Sequence, residues 1–289
     1  MSSVAAAPQR SEASVARRER TRLLLRSPSF LIGATVILFW VFCAVLGKRI
    51  APYDPIFDQT SSIGAAPSWA HPFGTDRLGR DVLSRVLAGS RDILLIAPAA
   101  VVLATFFGTT LGLITGYFRG IADDTISRVI DAVLAIPLIV LAVTVVSSLG
   151  SRSSWAVAVV IAIVFSPIIA RTVRAAVLGE ARLDYVEAAR LRGENSLFVM
   201  FQEVLPNVMP PILVEATIRL GYAIFAVATL TFIGFGLEPP TPDWAVQIAD
   251  NYDYLAFQWW TVLFPALAIA SLVIAINLVA DGITRVLER

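Results

Sequence analysis

The sequence predicts an all-α membrane protein with six transmembrane helices. Of its 289 residues, 57% are apolar and only 16% are charged, whereas soluble proteins carry about 25% charged residues. With a mean hydropathy of +0.75, a water-soluble fold would have to expose large apolar patches, which soluble monomers avoid. The apolar residues also gather into separate runs long enough to cross a bilayer, which requires about 20 residues per helix.

Six such runs are nearly free of charge, and the breaks between them carry Asp, Glu, Arg, Pro and Gly. The predicted spans cover residues 30–47, 93–116, 129–149, 155–171, 211–234 and 259–280. We therefore divide the chain into a basic N-terminal segment (1–29), a first span (30–47), an external loop with a surface helix (48–91), a five-helix core (92–284) and a tail (285–289).

Basic residues predict the orientation of the chain in the membrane. Residues 1–29 hold six arginines against two glutamates, which places the N-terminus in the cytoplasm by the positive-inside rule. Alternation then places the arginine-rich segment 171–206 and the C-terminus inside, and the connection 237–258, which has no Lys or Arg, outside. Segment 48–91 falls outside although it is basic, and its length and mixed acids suggest a folded segment on the outer surface. The net charge of +1 indicates no nucleic-acid partner.

The supply of reactive side chains excludes several classes of function. The single cysteine, Cys43, excludes an internal disulfide or a cysteine-built zinc site, and we expect it to be buried. The single histidine, His71, excludes a site that needs two imidazoles and lies outside the predicted spans. We expect His71 to make a local hydrogen bond, and we expect no catalytic, cofactor or metal site in this chain.

Two groups of residues stand out inside the predicted spans. Gly108, Gly112 and Gly116 are four residues apart in the second span, so they lie on one helix face and predict a close packing seam with another helix. Glu215 and Arg219 have the spacing of a helix-surface ion pair in the fifth span. We expect this pair within two turns of the cytoplasmic end, where a structural role is favoured over contact with a substrate.

The cytoplasmic loop 185–206 predicts a docking element. Its first part reads as a short helix with Ala188 and Ala189 on its surface, which ends at Gly193 because glycine suits the position after a helix. Either Asn195 or Ser196 can cap a second helix, and we expect Pro206 to end that helix. A helix with small side chains on its face is suited to a groove on another protein.

This loop resembles the EAA loop of bacterial ABC-importer permeases. Glu-Ala-Ala is followed after three residues by Gly, and a Leu-Pro pair follows at 205–206. One position departs from the family pattern, because Glu203 stands where an aliphatic residue is usual. The resemblance implies that this loop couples the permease to a separate ATPase. The residues that it assigns to the coupling are Tyr185, Glu187, Ala188, Ala189, Gly193, Leu205 and Pro206.

Two external stretches narrow the resemblance to the C-type permease subunit of dipeptide and oligopeptide importers. They are residues 71–85, before the second span, and residues 231–244, after the fifth. In physical terms we expect Asp76 to cap a helix whose solvated face carries Asp81, Arg85 and Arg91. Acids beside arginines form ion pairs more often than catalytic dyads. The residues of the first signature are Gly74, Thr75, Asp76, Gly79, Arg80 and Asp81.

The resemblance implies a type I ABC-importer permease fold with cytoplasmic coupling helices, in a bacterial inner membrane. Such a subunit forms half of a pathway for peptides. Its expected partners are a homologous second permease, one or two ABC ATPases, an external substrate-binding protein and the lipid bilayer. ATP and Mg²⁺ would bind to the ATPases, since the Gly-Lys pair at 47–48 lacks the other residues of a phosphate loop.

Two alternatives remain open from the sequence. The same class of importer also carries glutathione or nickel chelates, and no residue of this sequence indicates which cargo the protein transports. An ion-driven secondary transporter would need acidic residues at the bilayer midplane and internal repeats, and the sequence gives no convincing sign of either.

Overall fold

The structure, a computed structural model, describes residues 22–57, 62–149 and 153–287. Its long helices are α1 (Pro28–Ile50), α2 (Val82–Phe118), α5 (Ser154–Glu180), α7 (Leu205–Phe232) and α9 (Trp260–Leu287). Shorter helices are α3 (Ile121–Leu134), α4 (Leu138–Leu149), α6 (Asp184–Leu191) and α8 (Trp244–Asn251). Most of the N-terminal segment and the last two residues of the tail lie outside the described residues.

The predicted fold class is confirmed. The five long helices of the described residues are apolar enough to cross a membrane, and α3 and α4 together make a possible sixth, bent span. The predicted third span, 129–149, is sharply bent, because α3 and α4 meet at an angle of 97°. The break falls at Pro137, which has no N–H to donate and disfavours a helical backbone at the residue before it.

The second and fifth predicted spans are parts of longer helices. Helix α2 begins at Val82, so the surface helix expected within 48–91 is the start of the second span itself. Pro206 does not end the second helix of the loop, because helical structure continues from Ser196 to Phe232. Residues Val199–Val204, just before this proline, form a π-helix. Short π-helical turns of this kind occur within otherwise continuous α-helices.

Helices α2 and α5 form the most extensive helix pair of the described chain. The three glycines of α2 lie directly against a ridge of β-branched residues on α5. A Cβ atom built on Gly108, Gly112 or Gly116 would lie 2.6–2.7 Å from the Cβ of Ile169, Val173 or Val177. Because the backbones approach so closely, no larger residue fits without movement of one helix. We call this contact the glycine seam.

Helices α1, α3 and α9 pack around the pair formed by α2 and α5. Helix α1 lies against α2 and α9, and its Trp40 donates an indole hydrogen bond to the Ser271 hydroxyl at 2.9 Å. Cys43 is fully buried, as the sequence predicts. On the other side, Arg174 of α5 donates two hydrogen bonds, of 2.6 and 2.7 Å, to the carboxylate of Asp123 on α3. This fork fixes the first half of the bent span to α5.

The glycine seam predicts unequal effects for two matched substitutions. Gly112→Ala should lower the free energy of unfolding by about 1–3 kcal/mol, because the new methyl group overpacks the contact with Val173. Gly179→Ala, in a helical position of α5 with open space around its Cβ, should leave stability unchanged or raise it through helix propensity. The measurement is thermal unfolding of both variants in detergent, and equal effects would contradict the seam.

Candidate functional site

Helix α6 is the first element of the loop between α5 and α7, and Gly193 defines its end. Gly193 has a φ of +78°, which glycine adopts without steric cost. Its N–H donates to the Arg190 carbonyl at 2.9 Å, and the Glu194 N–H donates to the Ala189 carbonyl at 3.3 Å. These two bonds form a Schellman motif. A Cβ atom on Gly193 would have no heavy atom within 4 Å, so the space beside it is open.

The two faces of α6 differ sharply in exposure. Val186 and Ala189 are fully buried against the rest of the chain, as expected for residues three apart on one helix face. Glu187 and Ala188 are exposed, and the Leu191 side chain is 83% exposed. The prediction that both alanines lie on the surface is therefore wrong for Ala189. The free face combines one small, one acidic and one apolar residue.

Tyr185 connects α6 to the two membrane helices that flank the loop. Its hydroxyl donates to the Glu180 carboxylate at the end of α5, at 2.7 Å. The same hydroxyl accepts a bond of 3.0 Å from the Asn207 side-chain amide at the start of α7. Burial, followed by the hydrogen bond with Glu180, raises the pKa of Tyr185 to about 12. The hydroxyl therefore stays protonated and keeps its donor role at any physiological pH.

A second connection joins α6 to the last turn of α2. The Arg190 guanidinium carbon lies 4.6 Å from the centroid of the Tyr117 ring, and Arg190 Nε donates to the Tyr117 hydroxyl at 3.3 Å. Arg192 pairs with Glu194 at 2.7 Å and approaches Glu203 at 3.7 Å. Glu203, the residue that departs from the family pattern, thus contributes to the charge arrangement of the loop.

The second half of the loop leads directly into α7. Asn195 rather than Ser196 caps it, because the Asn195 side chain accepts the Leu197 N–H at 3.0 Å. Leu205 is half-buried, and Pro206 is exposed within the first two residues of α7. The second half of the loop also exposes Leu197 and Phe198. The loop therefore presents apolar side chains to its surroundings beside a rigid helix.

At the opposite end of α2 from this loop, Asp81 caps the helix. Its carboxylate accepts the Ser84 N–H at 2.8 Å and the Ser84 hydroxyl at 2.7 Å, and it lies 2.9 Å from His71 Nδ1. The prediction that Asp76 caps this helix is wrong, because Asp76 lies five residues before its N-cap and instead accepts the Arg80 Nε at 2.7 Å. His71 makes the local hydrogen bond that the sequence predicts.

The predicted solvated face of this helix is also wrong for two of its three residues. Asp81 and Arg85 are buried, and only Arg91 is exposed. Arg85 donates to the carbonyls of Pro55, at 2.9 Å, and Thr241, at 3.1 Å. Carbonyls from two distant loops replace the water that this guanidinium would otherwise need. The arginine therefore joins the loop before α2 to the loop before α8.

The remaining external signature residues build tight turns in the same region. Gly74 and Gly79 have positive φ angles of +73° and +77°. The Thr75 hydroxyl accepts the Ala65 N–H at 2.8 Å, and the Thr75 carbonyl accepts the Trp260 indole N–H at 3.1 Å. Arg80 reaches 3.5 Å from the Asp250 carboxylate on α8. The signature thus connects the external loop to α8 and α9.

Asp243 is a buried acid directly before α8. It caps α8 by accepting the N–H groups of Ala245, at 2.8 Å, and Val246, at 3.1 Å, and it is 1% exposed. Burial raises the pKa of Asp243 to about 6, and the nearby Asp92 carboxylate adds to the rise. Among the described residues, no group of three or more His, Cys, Asp or Glu side chains could hold a metal ion.

A bundle of apolar helices long enough to span a membrane, with a short helix that has one buried and one exposed face, is the arrangement expected of a transport permease. Residues 108–289 match the family of binding-protein-dependent transport system inner membrane components, and the chain belongs to this family. It is a multi-pass membrane component of ABC importers.

Individual relatives span nearly the whole chain. The di/tripeptide transport system permease protein DppC of Pseudomonas aeruginosa is 42% identical over 262 residues, covering 89% of this chain and 86% of that protein. The glutathione transport system permease protein GsiD of Pectobacterium atrosepticum is 36% identical, covering 94% of this chain and 90% of that protein. The inward-facing MetNI methionine ABC transporter is similar in structure, with a TM-score of 0.58 at 22% identity over 71% of this chain and 97% of that chain. This likeness confirms the predicted type I fold.

The raised pKa of Asp243 predicts a pH-dependent stability. Because this pKa lies above the value of about 3.9 for an unfolded Asp, folding favours the protonated acid. The contribution of Asp243 is then fully present below about pH 4 and is lost as the pH rises through 6. Relative to Asp243→Asn, wild type should lose about 2 kcal/mol between pH 4 and pH 7.

Thermal unfolding in detergent across this pH range measures the difference between the two proteins. Asp253→Asn is the matched control, because Asp253 is an exposed acid on the same external segment. The control should follow the wild-type curve. Parallel curves for wild type and Asp243→Asn would contradict the raised pKa.

Proposed function

We propose that this chain is the permease subunit that forms half of the membrane pathway of an ATP-driven peptide importer. The observation that carries the proposal is the anchored helix α6. Its buried face is fixed to the spans, and its free face, with Glu187, Ala188 and Leu191, is open. A helix held in this way is suited to dock into a groove of a separate ATPase.

The anchoring of α6 gives a mechanical route from the ATPase to the spans. Displacement of α6 would act on α5 through Tyr185 and Glu180, on α7 through Asn207, and on α2 through the contact of Arg190 with Tyr117. Packed helices change arrangement in discrete steps rather than by continuous deformation. Closure of two ATPase subunits around ATP and Mg²⁺ would therefore move these spans together.

The cargo and the remaining partners follow from the relatives. The di/tripeptide permease is the most identical of the relatives described above, which supports a peptide delivered by an external substrate-binding protein. Glutathione, itself a small peptide, is a second candidate because the glutathione permease also aligns with 94% of the chain. A homologous second permease would complete the pathway, and both termini would lie in the cytoplasm. The chain itself would carry out no catalysis.

Gly193→Val tests the docking role of α6. Valine is strained at a φ of +78°, at a cost of about 1–2 kcal/mol, and its side chain would project into the open space beside α6. We expect normal membrane insertion but loss of the ATPase from the purified complex and loss of peptide uptake. The measurements are co-purification of the ATPase and uptake into proteoliposomes.

Gly234→Val is the matched control for ATPase retention. Gly234 also has a positive φ, of +84°, and open space around its Cβ, but it follows α7 on the predicted external side. This variant carries the same backbone strain and should retain the ATPase. If both variants retained the ATPase equally and Gly193→Val still imported peptide, the docking role of α6 would be refuted.

The cargo is tested by uptake into proteoliposomes that contain the complete importer and its binding protein. We expect ATP-dependent accumulation of a labelled dipeptide, with weaker or no accumulation of labelled glutathione. The control is the same preparation with ADP, which should accumulate neither. Accumulation of glutathione alone would assign the second candidate cargo, and accumulation of neither compound with ATP would contradict a peptide importer.

A further inference from the structure

A cavity of about 420 Å³ lies where the bent span meets α5 and α7. The break at Pro137 and the first residues of α4 form one wall. Phe165 of α5 and Tyr222 and Phe225 of α7 contribute aromatic rings, and Arg219 is the one charged residue of the lining. The cavity is therefore apolar except for a single cation. None of the roles assigned above to the coupling loop or the external loop uses it.

Arg219 lies deeper along its helix than the sequence predicts. It is fourteen residues after Leu205 and thirteen before Phe232, so about 20 Å of helix separates it from either end of α7. The expectation that Glu215 and Arg219 lie within two turns of the cytoplasmic end is wrong, because the helical segment begins at Ser196. A charge at such a position is costly, and charges in membrane helices commonly mark substrate or ion pathways.

The geometry of Arg219 leaves part of its guanidinium available. Its Nε donates to Glu215 Oε1 at 2.5 Å, and its guanidinium carbon lies 5.3 Å from the centroid of the Tyr222 ring. The described residues provide no hydrogen-bond partner for the two terminal nitrogens. The Arg219 side chain is 19% exposed, so these nitrogens can be reached from the cavity. A guanidinium held in this way can bind a carboxylate through two hydrogen bonds.

The start of α4 adds positive potential to the same cavity. The N–H of Leu141 donates to the Pro137 carbonyl, so the N–H groups of the preceding residues 138–140 have no partner within the helix. The positive end of the helix dipole is located there as well. This effect supplements Arg219 and favours an anion over a cation or a neutral group.

We propose that this cavity binds the C-terminal carboxylate of a peptide during its passage through the membrane. Arg219 would hold the carboxylate through its terminal nitrogens, Glu215 would position the guanidinium, and the rings of Phe165, Tyr222 and Phe225 would contact the apolar part of the peptide. The inference rests on the proposed function, since it requires a peptide cargo. It assigns this chain a direct role in cargo recognition.

The test compares a labelled dipeptide, Ala-Phe, with its C-terminal amide in proteoliposomes that contain the complete importer. All variants share one binding protein, so the ratio of the two uptake rates isolates the contribution of the permease. Arg219→Gln should lower uptake of the free acid about tenfold relative to the amide. Arg219→Lys, which keeps the charge but not the paired hydrogen bonds, should give a smaller decrease in the same ratio. Arg285→Gln, at an exposed arginine near the end of α9, should leave the ratio unchanged.

The outcomes separate this inference from the proposed function. If wild type imports neither compound and no glutathione either, the proposed function fails. If wild type imports the dipeptide and the Arg219 variants keep its ratio of free acid to amide, the carboxylate site is overturned. The site is equally overturned if Arg219→Gln and Arg219→Lys release the second permease during purification, because Arg219 would then belong to an interface between subunits.

Discussion

The close approach of α2 and α5 along the glycine seam is the constraint on which the other sites depend. Gly116, the last glycine of the seam, directly precedes Tyr117, and the Tyr117 ring contacts the Arg190 guanidinium of α6. Glu180, three residues after Val177 on α5, accepts the hydrogen bond of the Tyr185 hydroxyl. A shift of one helix along the other would therefore move both anchors of α6 at once. Because larger side chains do not fit at the seam, the two helices keep fixed positions relative to each other, and so do these two anchors.

The same seam positions the cavity deeper in the protein. Arg174 lies on α5 between Val173 and Val177, and its fork to Asp123 holds α3 in place. The bend after α3 then directs α4 toward Phe165 and Arg219. Helix α7 completes the link, because it continues from the coupling loop through the π-helix to Arg219. Pro206, Pro210 and Pro211 lie in the first two turns of α7 between the loop and the cavity, and none of them can donate a backbone hydrogen bond there.

The sequence predicts those features that depend on composition and local spacing. The six apolar runs, the glycine face of α2 and the end of α6 at Gly193 follow from hydropathy, from a spacing of four residues and from the backbone freedom of glycine. Pairings between distant residues were not predicted, because nothing in the chain relates Asp123 to Arg174 or Tyr117 to Arg190 before folding. Arg85 was expected in solvent because its partners, the carbonyls of two loops, carry no sequence signal.

Helix ends at prolines were the other source of error. Pro206 was expected to end a helix, yet a π-helix over the residues before it preserves the continuous helical segment. Pro137 lies within the predicted third span, and there it divides α3 from α4. The local rule for proline is the same in both places, and only tertiary packing decides between a widened turn and a break. The depth of Glu215 and Arg219 could not be predicted for this reason.

The central claim is that α6 moves with α5 as one rigid unit when the ATPases bind ATP. Spin labels at Arg192, which directly follows α6 and is not one of its docking-face residues, and at Val159 on α5, both exposed positions, allow their separation to be measured in the complete importer. The only native cysteine, Cys43, is buried, which favours site-directed labelling. The account predicts the same mean distance and the same narrow distribution with and without ATP. A shift or a broadening of that distribution on ATP binding would contradict it.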